Sequence, residues 1–524
     1  MRTEMLHIDP QTCIDCGACV DACPVDAIKS EDDLEEEEEV YKNLNSEYFD
    51  LHPLVSGQLD PVKPIWRKAD FTGMRVAIVG SGPAAFYAAL EIVATKGASV
   101  TMFERLLTPY GLVRFGVAPD HPGTKAVTEV FKTLARRTNF SLNLGIEIGK
   151  HITHDELLAR HHAVIYAVGA SSDRRLGIDG EDLPGSHTAT EFVAWYNGHP
   201  DYANRSFDLS SERIVVIGNG NVALDVARIL LTDPDELDRT DIADHALEAL
   251  RDSKVREVIV LGRRGVAQAG YTNPEMIALR HLPDVDLIVD GDEVATDELT
   301  QSILDADDTE ASVRSKVAFA QDVASQPPEG HRKRLVLRYL ASPTEIVGTD
   351  RVESVTVTRN RLEQESDGAV MAVATDFTES IDTGLVLRAV GYHGVPVPDL
   401  PFDAARGVVP NVGGRVVDQS SRDTVSGVYV TGWIKRGPSG VIGTNKKCAT
   451  DTVDLLLQDY LAGALPMPSE GPESTAELVS QRQPNVVDFA GWATIDKAEK
   501  AAGKARKRPR VKFVTPESIL AELN

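Results

Sequence analysis

Four of the five cysteines lie close together: Cys13, Cys16, Cys19 and Cys23 follow the spacing C-x2-C-x2-C-x3-C, with Pro24 directly behind. Thiolates two residues apart can wrap one corner of an iron–sulfur cube, and this is the run of bacterial ferredoxins. A structural zinc site usually takes two close pairs split by a longer loop, which three tight steps ending in Cys-Pro fit poorly. A [4Fe-4S] cluster is the expected occupant. In two-cluster ferredoxins the fourth cysteine of such a run serves the other cluster. Two arrangements stay open: Cys23 folds back to complete one cube, or an upstream half-motif supplies the remaining ligands of a second cluster. Cys448 stands alone after a Gly-rich stretch and reads better as a buried small hydrophobe than as a missing ligand.

Two glycine loops carry a second kind of chemistry. Met74 to Val79 runs into Gly80-Ser81-Gly82-Pro83-Ala84-Ala85, a G-x-G-x-x-A turn between strand and helix. Gly80 makes the tight turn, Gly82 lets backbone approach a pyrophosphate, and Ala85 permits close helix–strand packing. Glu104 ends the next strand and suits a ribose 2′-hydroxyl. The second loop, Gly218-Asn219-Gly220-Asn221-Val222-Ala223, follows the strand Arg213 to Ile217. There the next strand ends in Gly262-Arg263-Arg264-Gly265 instead of an acid. Guanidinium pairs with a 2′-phosphate that a carboxylate would repel, so Arg263 and Arg264 point to NADP(H). A nicotinamide gives up two electrons as hydride, whereas a cluster takes one. A flavin handles both, which assigns FAD to the first loop and NADPH to the second.

The elements that must hold these loops read as alternating strands and helices, the pattern of parallel sheets. Strands are expected at Met74–Val79, Ser99–Phe103, Ala163–Val168, Arg213–Ile217, Glu257–Leu261, Leu335–Leu340 and Val352–Thr358, with Leu385–Val390 and Gly427–Val430 rejoining the first unit. Helices are expected at Ala84–Ala94, Pro122–Thr138 and Asn221–Leu231. The acids from Glu31 to Glu39 read as a solvated linker. After Pro466 the chain reads as a polar linker, then a short helix over 494–502. A basic run follows (Lys504, Arg506, Lys507, Arg508, Arg510, Lys512), expected as a solubilising tail segment or as a docking surface for an acidic ferredoxin or for the chain's own acidic linker. A formal net charge of -26 over 524 residues argues against nucleic-acid binding. The sequence offers no membrane span and no signal-peptide run. With so few cysteines, a reducing, cytoplasmic location is expected.

Thr108-Pro109-Tyr110-Gly111-Leu112-Val113-Arg114-Phe115-Gly116-Val117-Ala118-Pro119-Asp120-His121 resembles the signature of the adrenodoxin reductase-like ferredoxin–NADP+ reductases. So do Gly218 to Arg228, the Gly262–Gly265 turn, and Gly432-Trp433 through Asn445. With its leading cysteine run, the chain is similar to bacterial members fused to a ferredoxin domain, although only half of a two-run ferredoxin is present. The resemblance implies an α/β fold of two Rossmann-like nucleotide-binding domains, the FAD domain split around the NADP domain, behind a small ferredoxin-like segment. The corresponding boundaries are 1–30 for the iron–sulfur segment, 31–72 for linker and connector, 73–206 with 380–465 for the FAD domain, 207–379 for the NADP domain, and 466–524 for the extension. It puts Gly80, Gly82, Pro83, Ala84, Glu104, Gly111, Leu112, Val113, Gly432, Trp433, Gly440, Val441 and Ile442 along FAD. Gly218, Gly220, Asn221, Val222, Arg263 and Arg264 fall along NADP. His121 and Glu275 are implied near nicotinamide and flavin, ordering water and ring; locally, His121 also reads as a helix cap and Glu275 as a solvated first-turn acid.

The activity implied is electron transfer between NADPH and ferredoxin or another one-electron acceptor protein. A glutamate synthase small-subunit-like reductase would carry a longer, helical cysteine region. A thioredoxin reductase-like enzyme would want C-x-x-C near the NADP domain. A non-enzymatic iron–sulfur module would leave Arg263 and Arg264 without purpose.

Overall fold

The computed structural model describes residues 7–8, 13, 19, 28–29, 34, 38–51, 69–306, 309–366, 368–440 and 442–523. Two sheets organise them. The seven-stranded sheet runs Asn411–Val412, Arg415–Val417, Thr424–Val430, Ala163–Tyr166, Arg75–Val79, Ser99–Glu104, Phe140–Leu144. Its last five strands are parallel, with Ile78 between Ile165 and Met102. The six-stranded sheet, parallel throughout, runs Ser186–Thr188, Leu385–Arg388, Arg213–Ile217, Glu257–Leu261, Lys333–Arg338, Val285–Val289. Arg75–Val79 and Arg213–Ile217 are buried on both faces after their first residue, as strands covered by helices on both sides must be. In each sheet the chain turns from one side of this central strand to the other, which makes its C-terminal end the natural ligand crevice.

Several expectations change. Leu385–Arg388 does not rejoin the first sheet: Leu385 pairs with Ile214 and Arg388 with Ile217. All four of its residues are buried, and a fully apolar strand carries no mark of which parallel sheet it joins. Ser186–Thr188 pairs beside it, and Phe192 and Trp195 pack into the second core. By pairing and packing, the second unit takes in residues that the 207–379 boundary left out. The expected helix over Pro122–Thr138 breaks at Ala126 and ends in a 3-10 turn, Thr133–Arg136. A third, antiparallel sheet of three strands (Ala341–Val347, Ser354–Gln364, Val370–Asp382) stands on the second unit.

The largest correction is at the C-terminus. Helices at Ser474–Arg482, Phe489–Ala505 and Pro516–Ala521 bring Trp492, Ile495 and Ile519 into the first core beside Phe131 and Leu134. Arg508, Arg510 and Lys512 are neither tail nor docking patch. Arg510 reaches Glu499 at 3.0 Å and Asp496 at 2.8 Å, Lys512 reaches Asp241 at 3.3 Å, and Arg508 reaches Asp244 at 2.5 Å. Charged side chains enter a core only when paired, so composition alone disguised this segment as a surface. It straps the units together: Trp492 and Glu499 sit on the first, Asp241 and Asp244 on the second.

Candidate functional site

Both glycine loops leave a central strand with the same backbone solution. Gly80 and Gly218 have φ of +102° and +118°. A Cβ at Gly80 would stand 2.5 Å from the Ala167 carbonyl oxygen, and at Gly218 2.3 Å from that of Ala389, so only glycine fits. Each donates its N–H over 2.8 Å to the adjacent strand, to Phe103 and Leu261. Gly82 and Gly220 then cap the helices Pro83–Val93 and Asn221–Leu231 without a side-chain bond. A Cβ at either would meet nothing within 4 Å. Open backbone at an uncapped helix N-terminus is what a bound phosphate requires. Ala85 and Ala223, both fully buried, let the helices lie against the sheets.

Around the first loop the walls are close. Glu104 accepts from the Ser81 N–H at 3.0 Å, the Ser81 hydroxyl at 2.8 Å and the Leu106 N–H at 3.0 Å. It therefore holds the loop itself, and Oε1 keeps an acceptor site for a ribose hydroxyl. Tyr110, with φ +84°, donates its N–H to Ser81, and its hydroxyl accepts from the Trp492 indole at 3.2 Å. Gly111 comes so near that its Cβ would be 3.0 Å from the Gly82 Cα; half-buried Leu112 and buried Val113 continue this wall. Arg114 beside them is held bidentately by Glu499, at 2.5 and 2.9 Å. From the far side, a Cβ on Gly432 would lie 2.7 Å from Ala84. Trp433 follows, its buried Nε1 without a partner among the described residues and its ring 5.1 Å from Tyr392. Gly440 precedes the helix Ile442–Leu461, which packs on Pro83–Val93; Val441 lies outside the described residues. Cys448 is buried and accepts the Gly432 N–H at 3.3 Å, the small-hydrophobe reading. A cavity of about 290 Å³, lined by Arg174, Tyr392 and Arg436 among others, opens between this turn and the second unit.

The second loop is more open. Asn221 spends its side chain on Thr272, accepting its N–H at 2.8 Å, which leaves only its backbone toward a pyrophosphate, with Val222 half-buried beside it. Arg263 is exposed and Arg264 half-buried, and neither makes an ion pair among the described residues.

Between the loops the units meet in a charged cluster. His121 occupies the N-cap position of Pro122–Lys125 but makes no capping bond; its Nε2 lies 3.1 Å from Arg228 and 4.0 Å from Glu275. Arg228 also grips Asp120 and, at 2.5 Å, Asp225. Burial first, and then the Glu275 charge, push the Asp225 carboxyl well above the usual carboxylate range. Glu275 is thus no solvated acid: it faces His121 across the unit boundary. Asp120, Asp225 and Arg228 escaped the sequence reading, although Asp225 and Arg228 stand at i, i+3 on one helix face.

Of the expected cluster ligands, Cys13 and Cys19 are exposed, and Cys16 and Cys23 lie outside the described residues. Upstream in the chain, His7 stacks on Tyr48 at 3.9 Å and the Ile8 N–H reaches Asn45 at 3.2 Å. The expected connector therefore includes a helix, Glu39–Leu51, that touches His7 and Ile8.

Comparison with known proteins adds the following. Residues 74–263 match the pyridine nucleotide-disulphide oxidoreductase family, and residues 6–29 match the 4Fe-4S binding domain. A probable ferredoxin/ferredoxin–NADP reductase of Mycobacterium tuberculosis is 46% identical over 532 residues, covering 99% of this chain and 88% of that protein. NADPH-ferredoxin reductase FprA of the same organism is 46% identical over 85% of this chain and 98% of its own. Its structure in complex with NADPH matches with a TM-score of 0.81 at 45% identity, covering 86% of this chain and all of that one. Mitochondrial NADPH:adrenodoxin oxidoreductase of Arabidopsis thaliana is 41% identical over 86% of this chain and 95% of its own.

Proposed function

Because the chain belongs to the ferredoxin–NADP reductases, we propose that its two glycine loops divide the work, the first holding FAD and the second NADPH. The enzyme is an NADPH-dependent oxidoreductase that moves electrons between NADPH and a ferredoxin or similar one-electron acceptor. The residues suit these groups. Gly82 and Gly220 offer uncapped, unobstructed helix ends, and the buried Trp433 Nε1 lacks a partner among the described residues. FAD held there by the first loop would supply a hydride acceptor that can also release electrons one at a time.

The chain's own work is placement and exclusion. Tyr110, Gly111, Val113 and Gly432 close over the first loop and keep water out. Glu104 steadies that loop and offers Oε1 to a ribose. Arg263 and Arg264 pair with the 2′-phosphate. His121 and Glu275, held beside Arg228 and Asp225, orient the nicotinamide and the water beside it. Four thiols at ferredoxin spacing suit a [4Fe-4S] cube in a reducing, cytoplasmic setting.

The observation that carries this reading is the pair of guanidinium groups at the end of Glu257–Leu261, without an ion pair among the described residues, in a chain of net charge -26. Anaerobic titration tests it: NADPH bleaches the flavin absorption at concentrations where NADH does not. Equal bleaching by both removes the second-loop assignment. Iron and sulfide counts per flavin on the same sample test the cluster, with about four of each expected for one cube.

A further inference from the structure

The turn that bears Arg263 and Arg264 is held from behind by the antiparallel sheet that stands on the second unit. The Gly262 N–H reaches the Arg338 carbonyl at 2.9 Å, so the strand Lys333–Arg338 fixes where the turn begins. The carbonyls of its first three residues are all taken from the same side. Gly262 O accepts from the Ala341 N–H at 3.0 Å, and Arg264 O from the Leu340 N–H at 3.1 Å. Arg263 O accepts from the Asn360 side-chain amide at 2.7 Å. Asn360 is 4% exposed, and the same amide nitrogen donates to the Ser342 hydroxyl at 2.7 Å. A carbonyl oxygen can only accept, so the Asn360 nitrogen, not its oxygen, must face Arg263. Asn360 sits beside a register shift between Thr358 and Asn360, and its own N–H bonds the carbonyl of Leu340 at 2.6 Å. Leu340 holds φ at +53°, a conformation a leucine rarely keeps unless its surroundings impose it.

We propose that Asn360 is a positioning residue for nucleotide choice: its amide locks the Arg263 carbonyl, so that the guanidinium groups of Arg263 and Arg264 are presented to the 2′-phosphate as a preset fork. This rests on the assignment of those arginines to NADPH. Fork geometry is worth most when it is organised before the ligand arrives. Asn360 is buried behind the turn, on the Arg263 carbonyl. Its effect passes through one backbone carbonyl, and it therefore acts on the nucleotide that bears a 2′-phosphate and not on the one that lacks it.

The test is Asn360→Leu in the full-length holoenzyme, with kcat and KM measured for NADPH and NADH at equal ionic strength. KM for NADPH rises about tenfold, the loss of one well-placed hydrogen bond's worth of organisation, while kcat and the NADH constants stay within about twofold. Inhibition by 2′-AMP weakens in parallel, and inhibition by 5′-AMP does not. In an Arg263→Ala, Arg264→Ala background the Asn360 change adds nothing further, because the groups it organises are gone. If Asn360→Leu harms both nucleotides equally, the residue is merely structural and the proposal falls. If the double arginine variant itself leaves the NADPH preference intact, the arginine assignment has failed instead. Should Asn360→Leu not fold, Ser342→Ala removes the amide's second partner and reads the same ratio, with a smaller shift of about two- to threefold expected; an unchanged ratio there rejects the clamp.

Discussion

The two nucleotide loops share a backbone and differ in everything around it. Gly80 and Gly218 take the same turn, make the same 2.8 Å bond to the next strand and exclude a Cβ by the same contact with a neighbouring carbonyl. The first is then walled in by Tyr110, Gly111 and Gly432 and braced through Arg114 by Glu499. The second faces out, with its arginines unpaired and its turn gripped only from behind. The loop backbone suits a phosphate in either setting. On the proposed assignment, enclosure separates a cofactor that stays from a substrate that comes and goes.

The strongest way to break this comparison is to put a side chain on each first glycine in turn. Gly80→Val drives atoms into Ala167 and yields protein without flavin, and so without any activity. Gly218→Val keeps the flavin, which chemical reductant still bleaches, and loses response to NADPH. Loss of flavin from both variants would show that the loops do not act separately.

Next in size is the brace. Glu499→Leu leaves Arg114 without its buried carboxylate and Arg510 with Asp496 alone, a loss of about 3–5 kcal/mol. Urea unfolding of the variant should release flavin at lower denaturant while the second unit's transition moves less. Coincident movement of both transitions would mean that the strap stabilises the molecule as one body.

The arginine pair comes third and concerns only the open loop. Replacing Arg263 or Arg264 by Ala removes a charge-assisted bond of about 1.5–3 kcal/mol, read as a KM for NADPH raised roughly ten- to a hundredfold with NADH unaffected. Flavin content should not change.

The smallest effect is set by pH. Burial holds the His161 imidazole down to about 4 from an ordinary 6.5. Its folded form therefore binds fewer protons than its unfolded form, and its contribution is intact above pH 6.5 and lost as pH falls toward 4. By pH 5 the loss is about 2 kcal/mol. His161 packs on Phe103 in the first unit, so thermal melts between pH 7 and 5 should show His161→Leu less acid-sensitive than the parent, with flavin release as the marker. Parallel pH profiles would remove His161 from the account.

What could be read from the chain beforehand was local. Gly80, Gly218, their strands and the Arg263-Arg264 strand end are written within a few residues, because turn chemistry depends on neighbours. The sequence places Leu385–Val390 in the wrong sheet, because pairing with a strand as distant in the chain as Arg213–Ile217 leaves no local trace. The C-terminal helices were hidden by their charge: Glu499, Arg508 and Lys512 look like surface until their partners are known. The His121–Arg228–Glu275 contact joins three elements from two units, and only His121 and Glu275 were singled out, through family resemblance and not through any pattern of their own.

The strap also sets a schedule. Arg114 and Glu499 are 385 residues apart, and a ribosome adds about 5–20 residues per second. Roughly twenty seconds to over a minute therefore pass between the synthesis of the guanidinium and that of its carboxylate. Throughout that interval the wall of the flavin loop lacks its brace, and Trp492 is not yet there for Tyr110 to rest on. The second unit, complete by Arg388, can fold while the chain is still growing. The core of the first unit waits for Trp492, Ile495 and Ile519, so the second sheet has all its strands well before the wall of the first loop has its brace.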